Sequence, residues 1–396
     1  MTHKLYLDHS YETAFEAAIV SAQPTEKGAT LVLDRTLFYP ESGGQLPDHG
    51  VLGDTHVVDV QERDDDSVVH TVSGAAPTSG RIHGAIDWAR RFDHMQQHTG
   101  QHILSRAFIQ TGRLDTVSFH MGEDTCTIDL DGAAPDPAAI RRAEDLANHI
   151  IEENRPVDIT VIPIEALDMS DLRRKVPEGV REARIVSVRD FDRIPCCGTH
   201  VRSTGELGMI KVLKTEKVKS WQRVHFKVGA RAYADYRDKH AIVQELASRL
   251  TTAPGDVAAK VERMMEDAQA GAKRTKVLMQ RLAVAEAERL MRSVPQTGAT
   301  RVLVHREADA ALMRALATEL QKAPGTIAIL GADDGSLACV SSHELGIDLA
   351  TEAGRLAREL GGSGGGKGGF AQAKVDATRV GDFLEGMAAH ARARVS

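Results

Sequence analysis

Residues 233–294 carry almost no β signal, while the sequence on either side keeps returning to short alternating runs. This stretch reads as two amphipathic helices interrupted at TTAPGD (251–256), where Pro254 and Gly255 break the pattern. The second, VAAKVERMMEDAQAGAKRTKVLMQRLAVAEAERLM, is expected to form an arm or a short coiled-coil-like hairpin, its Met and Leu stripe serving packing. Before the arm, residues 1–90 alternate with a period of two between Gly, Pro, Asp and Ser clusters, which predicts a small β-barrel. Residues 91–232 mix helix and strand. RRFDHMQQHTGQHILSRAFIQTG has helical periodicity up to Gly112, and a second helix opens at Asp136 with Pro137 in its first turn. Residues 299–396 alternate β and α around a glycine-rich loop, GGSGGGKGGFAQAK. The expected fold class is therefore α+β, in four parts: barrel 1–90, mixed domain 91–232, helical arm 233–298 and C-terminal α/β domain 299–396.

Bulk properties narrow the function classes. The 396 residues are 42% hydrophobic and 27% charged, an ordinary profile for packed cores. No apolar run approaches the roughly 18 residues of a membrane span, and MTHKLYLDHSYETAFEA lacks an apolar signal core, so a cytoplasmic protein without membrane contact is expected. Four cysteines make no disulfide framework in so long a chain. Cys126 and Cys339 sit in strand-like runs as small buried hydrophobes, whereas the adjacent Cys196 and Cys197 point to metal binding or catalysis. A net charge of −7 repels nucleic acid overall, so any RNA contact needs local basic surface. KVLKTEKVKSWQRVHFKVGARAY supplies one, with Lys214, Lys217, Lys219 and Arg223 around Trp221; lysines guarding a sheet edge are the other reading.

Two short clips carry the chemistry. In HMQQHTGQH, His94, His98 and His102 follow at four-residue steps and share one helix face, as imidazoles that chelate a cation do; a surface histidine stripe is the alternative. The glutamate that a zincin protease needs after its first histidine is missing, Thr99 standing there. In RIPCCGTHV, Cys196 or Cys197 joins His200 after a strand and within a Gly-containing turn. Zinc accepts thiolate and imidazole together, so the joint set is His98, His102, Cys196 and His200.

MQQHTGQH followed by PCCGTHV resembles the HxxxH and CxxxH pair of the alanyl-tRNA editing domain, found in alanyl-tRNA synthetase and in free-standing editing proteins of the AlaX type. DRTLFYPESGGQLPDHG resembles the barrel before that domain, and TGELGMIKVLKTEKVKSWQRVHFKVGARA the strands after CxxxH. The last hundred residues resemble the C-terminal domain of the synthetase, glycine loop included. Because the resemblance starts at the barrel, a long-form free-standing editor is expected rather than a synthetase. The resemblance implies hydrolysis of mischarged tRNA(Ala), chiefly Ser-tRNA(Ala) with Gly-tRNA(Ala) a second candidate. It also implies one Zn2+ per chain on His98, His102, Cys196 and His200, while His94 carries no role over.

An activated aminoacyl ester needs only a polarising metal and an oriented water, for which Gln101, Thr99 and His120 are the candidate polar groups. Thr36 is the candidate sensor of the serine hydroxyl, with Gly43, Gly44 and Gln45 shaping the wall. A pocket that hydrogen-bonds that hydroxyl is left unsatisfied by alanine. GGSGGGKG nearly spells a P-loop, but Gly368 stands in place of Ser or Thr and a helix precedes it, so no nucleotide cofactor is expected. Lys367 and the loop amides are assigned to RNA backbone contact, a flexible linker being the other reading. Two rival functions remain open at this level: a tRNA-binding protein with structural zinc, and a zinc hydrolase of another small ester or amide. Oligomeric state stays undetermined, since a hairpin and a second copy would bury the same apolar arm.

Overall fold

The computed structural model describes residues 1–396 except positions 133, 297 and 396. The chain divides into two compact units, Met1–Glu245 and Leu246–Ser396.

In the first unit, β1 (His3–Lys4) pairs in parallel with β4 (Arg35–Thr36). The strands β2 (Ala14–Thr25), β3 (Gly28–Leu33), β5 (Gly50–Leu52), β6 (Thr55–Glu62), β7 (Val68–Ser73) and β8 (Arg81–Ile86) close a six-stranded barrel in the order β2-β3-β7-β6-β5-β8. Alternation makes it: in β3, Ala29, Leu31 and Leu33 point inward while their neighbours stay partly exposed. A polar pair, His70 and Thr36, is enclosed with them. His70 is fully buried, its Nδ1 bonded to the Leu31 carbonyl at 3.2 Å and its Nε2 to Thr36 Oγ1 at 2.8 Å. A carbonyl only accepts, so Nδ1 carries the proton and Nε2 accepts from the threonine.

Burial lowers the His70 pKa from 6.5 to about 4. The folded value lies below the unfolded one, so the unfolded state binds more protons between them and stability drains away as pH falls from 6.5 toward 4. His70→Gln removes that titration. Urea unfolding across this range should therefore show a shallower acid loss in the variant than in the parent.

After the barrel come α1 (Trp88–Gly112), β9 (Thr116–Met121), β10 (Cys126–Leu130), α2 (Pro137–Glu152), β11 (Val157–Pro163), β12 (Glu182–Val188), β13 (Asp192–Pro195), β14 (Ile210–Val218) and β15 (Trp221–Val228). They form a four-stranded sheet, β14-β15-β10-β9, and a three-stranded one, β11-β12-β13. Ile103, Leu104 and Phe108 of α1, Ala147 and Ile150 of α2, and Ile128, Val186 and Val224 of the sheets share one core. Asp87 caps α1 through the Arg90 amide at 3.2 Å, and Arg113 ends it in the left-handed conformation. α3 (Gly229–Arg249) follows.

The second unit contains α4 (Val257–Ser293), β16 (Arg301–Glu307), α5 (Ala310–Gln321), β17 (Thr326–Ala332), β18 (Ser336–Ser341), α6 (Ala350–Glu359), β19 (Ser363–Lys367), β20 (Phe370–Lys374) and α7 (Val380–Val395). Its sheet runs β16-β17-β18-β20-β19.

Two expectations need correction. The glycine-rich segment is not a loop: residues 363–374 form an antiparallel hairpin whose first strand is the sheet edge. Backbone ladder bonds hold a strand that has almost no side chains, and a Cβ on Gly366 would come within 2.1 Å of the Phe370 carbonyl oxygen. The Met and Leu stripe of α4 is covered only near its end, at Ala283, Ala287 and Leu290; Met264, Met265, Leu278 and Leu282 are exposed. Among the described residues no helix is long and apolar enough to cross a membrane.

Candidate metal centre

The α1 face that turns toward the cysteine loop is polar in a helix that is buried along most of its length. His98 and His102 lie one turn apart there, their rings 5.1 Å apart, and the His200 ring stands 4.6 Å from each. Cys196 Sγ is 3.4 Å from His98 Nε2 and 3.4 Å from His200 Nε2. The four donor atoms all fall within 4.8 Å of one another. A tetrahedron with bonds of roughly 2.0–2.3 Å spaces its donors by about 3.3–3.8 Å, a range that holds both 3.4 Å sulfur–nitrogen distances, so three imidazoles and a thiol here are able to hold a divalent cation. Zinc chemistry suits that mixed set.

Burial sets the protonation of the four donors. Burial, reinforced by the nearby Arg184 and Arg173 guanidiniums, lowers His98 to about 3; burial also holds His102 and His200 well below their usual value. The imidazoles are therefore neutral donors. Burial pushes the Cys196 thiol up to about 11, so a bound cation would displace a proton from it.

Supporting contacts orient the donors. Gln45 is fully buried, and its Oε1 accepts from His98 Nδ1 at 2.7 Å and from the Thr199 amide at 3.2 Å. That bond leaves His98 Nε2 as the donor atom facing Cys196. Thr99 Oγ1 stands 3.1 Å from His200 Nδ1 and does the same for that ring. Arg184 clamps the cysteine turn, donating to the Cys196 carbonyl at 2.7 Å, the Gly198 carbonyl at 3.0 Å and the Leu7 carbonyl at 2.9 Å. Gly198 has no room for a side chain, since a Cβ there would lie 2.2 Å from His98 Cε1. Gln45→Ala is expected to weaken metal affinity by about 10–100-fold while the fold persists. Chelator competition followed alongside circular dichroism checks this.

A cavity of about 190 Å³ opens beside the cluster, lined among others by Tyr39, Gly43, Gln101, Phe119, Arg173 and Arg174. Gln101 lines it with its amide held by Ser105 Oγ at 2.8 Å. Gly44 lets the barrel turn press onto β9: its φ is +84°, and a Cβ would sit 2.4 Å from the Phe119 carbonyl oxygen. Other predicted residues lie elsewhere. Thr36 is buried in the barrel, where its hydroxyl bonds His70 and accepts from the Phe38 amide at 3.0 Å. His120 is exposed because strand alternation turns Phe119, not its neighbour, toward His98. His94 is buried, both its ring nitrogens lack a hydrogen-bond partner among the described residues, and it is not among the four donors.

The basic stretch splits by role. Arg223 gives its guanidinium to Asp129 at 2.7 and 2.9 Å. Lys214 is exposed and lies 3.4 Å from Glu216. Lys217, Lys219 and, in the second unit, Lys367 are exposed with no ion pair among the described residues. Sequence reasoning missed Arg184, Arg173 and Arg174. For Arg184 the signal was a charged residue at an inward position of the apolar run EARIVSV.

Comparison with known proteins places the chain. Residues 183–225 match the threonyl and alanyl tRNA synthetase second additional domain, residues 10–90 match tRNA synthetases class II (A), and residues 296–392 match the DHHA1 domain. The class II match falls on the barrel. Over 392 residues the chain is 30% identical to the alanyl-tRNA editing protein Aarsd1 of Rattus norvegicus, covering 92% of each. It is 30% identical over 392 residues to the alanyl-tRNA editing protein AlaX-L of Pyrococcus horikoshii, covering 95% of each. Identity is also 30% over 392 residues of the alanine–tRNA ligase of Pyrobaculum neutrophilum, spanning 94% of this chain but 42% of the ligase.

Barrel, mixed domain and buried His/Cys cluster thus define a protein of the synthetase editing-domain class, carrying a site able to hold a metal. More narrowly, the chain belongs to the alanyl-tRNA editing protein family, whose members are aminoacyl-tRNA deacylases.

Proposed function

We propose that this protein hydrolyses in trans the ester of mischarged tRNA(Ala), chiefly Ser-tRNA(Ala) and secondarily Gly-tRNA(Ala), sparing Ala-tRNA(Ala), in the cytoplasm. The observation that carries the reading is the His98, His102, Cys196 and His200 cluster beside a small cavity, in a chain whose full-length relatives are editing proteins. Zinc is the assigned cation, on the donor set, and the four residues would hold it. Bound there, it supplies Lewis acidity toward the ester carbonyl or a fixed point for the substrate amine.

The chain's own groups do the rest. Gln45 and Thr99 hold the imidazole rings of His98 and His200, and Arg184 fixes the turn that carries Cys196. Gln101, oriented by Ser105, is assigned to hold the attacking water against the ester. Selection of serine is assigned to the barrel turn at the cavity, with Gly43 on its wall, whereas Thr36 bonds His70 inside the barrel. The four-part division 1–90, 91–232, 233–298 and 299–396 is retained as a division of labour. In it, residues 299–396 with Lys367, and the exposed Lys214, Lys217 and Lys219, meet the tRNA backbone.

The test is release of amino acid from Ser-, Gly- and Ala-tRNA(Ala) by the intact protein. Serine release at least about 100-fold faster than alanine release is expected. Equal rates for serine and alanine would reject selective editing. Tight tRNA binding without any release would instead favour a structural metal.

A further inference from the structure

The loop of residues 167–181, between β11 and β12, brings two consecutive arginines to the cavity wall. The loop is anchored. Leu172 and Val176 pack against Leu167, Ala183 and Ile185, and the Arg173 amide donates to the Arg193 carbonyl at 2.9 Å. The Arg173 side chain is 3% exposed, and its Nε bonds both oxygens of the buried Asp192 at 3.0 and 3.2 Å. Its Nη2 is fully buried and has no hydrogen-bond partner among the described residues. Arg174 has one backbone contact, Nη2 to the Thr116 carbonyl at 3.0 Å, and no carboxylate pairs with it among the described residues. Desolvation pulls its pKa below the ordinary guanidinium value.

An exposed cation that no carboxylate pairs with among the described residues, next to a buried guanidinium with an unused donor, is an arrangement that an anion stabilises. Among substrate groups the choice is short. The seryl ammonium is itself a cation, and both guanidiniums repel it. The ester carbonyl and the ribose hydroxyls are neutral. An aminoacyl ester on the terminal adenosine has its nearest anion one ribose away, in the phosphodiester on that nucleotide's 5′ side.

We propose that Arg174, on the cavity wall beside Arg173, binds the 5′ phosphate of the terminal aminoacylated nucleotide. The proposal rests on the editing reading for its substrate, but the anion site can be tested apart from it. Adenosine 5′-monophosphate and adenosine are titrated into the full-length protein and into Arg174→Gln by calorimetry. The parent should bind the monophosphate about 10–100-fold more tightly than adenosine, a preference that Arg174→Gln removes and Arg174→Lys largely keeps. In kinetics, Arg174→Gln should raise KM for Ser-tRNA(Ala) about 10–100-fold with little change in kcat, and should affect 2′(3′)-O-seryladenosine, which lacks the phosphate, far less.

Equal binding of monophosphate and adenosine by the parent overturns the proposal, as does a preference that survives in Arg174→Gln. A fall in kcat of the same size on both substrates also overturns it, because the guanidinium would then act on the reacting ester. If the monophosphate preference is present and lost in Arg174→Gln, yet serine stays on both substrates, the anion site stands and the editing reading fails.

Discussion

Cys196→Ala leaves the protein folded, without stoichiometric metal, and at least about 100-fold slower in releasing serine from Ser-tRNA(Ala). That figure is a lower bound, because loss of a group that merely orients a ligand already costs about 10–100-fold in metal affinity or activity. Cys196 is the one sulfur donor among the four, and its Sγ bridges toward both His98 and His200. Without it the three imidazoles remain neutral and buried, and no anionic donor offsets the cation's charge. Removing a thiol here opens only a small space, since the turn is still held by Arg184. Metal content by elemental analysis, thermal unfolding and serine release on one preparation check the prediction together. Full activity in a variant without metal would show that the cluster serves structure alone. Cys197→Ala is the matched control: that thiol is exposed, is no member of the donor set, and should keep the metal.

The second large effect is on stability. Arg91 and Asp48 are both completely buried and form an ion pair that joins α1 to the barrel. Arg91 Nε lies 3.2 and 3.1 Å from the two Asp48 oxygens, and its other nitrogens donate to the Ser10 carbonyl at 2.9 Å and the Leu37 carbonyl at 2.6 Å. Asp48 also accepts from the Tyr39 amide at 2.7 Å. Arg91→Met strands a buried carboxylate and two carbonyls, which costs about 3–5 kcal/mol. For a unit of this size that lowers Tm by about 6–20 °C. Pairing it with Asp48→Asn should recover part of the loss, because the orphaned charge goes with it. A Tm within a degree or two of the parent for Arg91→Met would mean that solvent reaches Asp48. The pair also matters to the site, since Arg91 lies in the first turn of the helix that carries His98 two turns later.

Much of the site was legible as spacing. Imidazoles at 98 and 102 share a helix face wherever that helix lies, and a Cys and a His four apart in a Gly-containing turn converge whatever surrounds them. The barrel was legible for a similar reason, because period-two alternation marks strands with one buried face. Partners that depend on distant chain segments were not. Gln45 reaches His98 across 53 positions and Arg223 reaches Asp129 across 94, and neither pairing leaves a local pattern. The glycine hairpin at 363–374 is illegible locally because its strand signal lies in the neighbour it pairs with, FAQAK, rather than in its own composition. His120 lies one residue from Phe119, which packs on His98, and a single step is enough to turn a strand side chain to the other face.

Residue order alone therefore determines the features that are periodic or contiguous: the closed barrel, the helix bearing two histidines, the cysteine turn and the family these motifs resemble. Folding adds the relations that no local rule contains. It turns the barrel's Gln45 onto His98, buries Arg184 behind the cysteine turn, and leaves Arg174 on the cavity wall with no carboxylate partner among the described residues. Such contacts arise where burial forces separate segments to satisfy each other's polar groups, and the sequence records only that those groups exist.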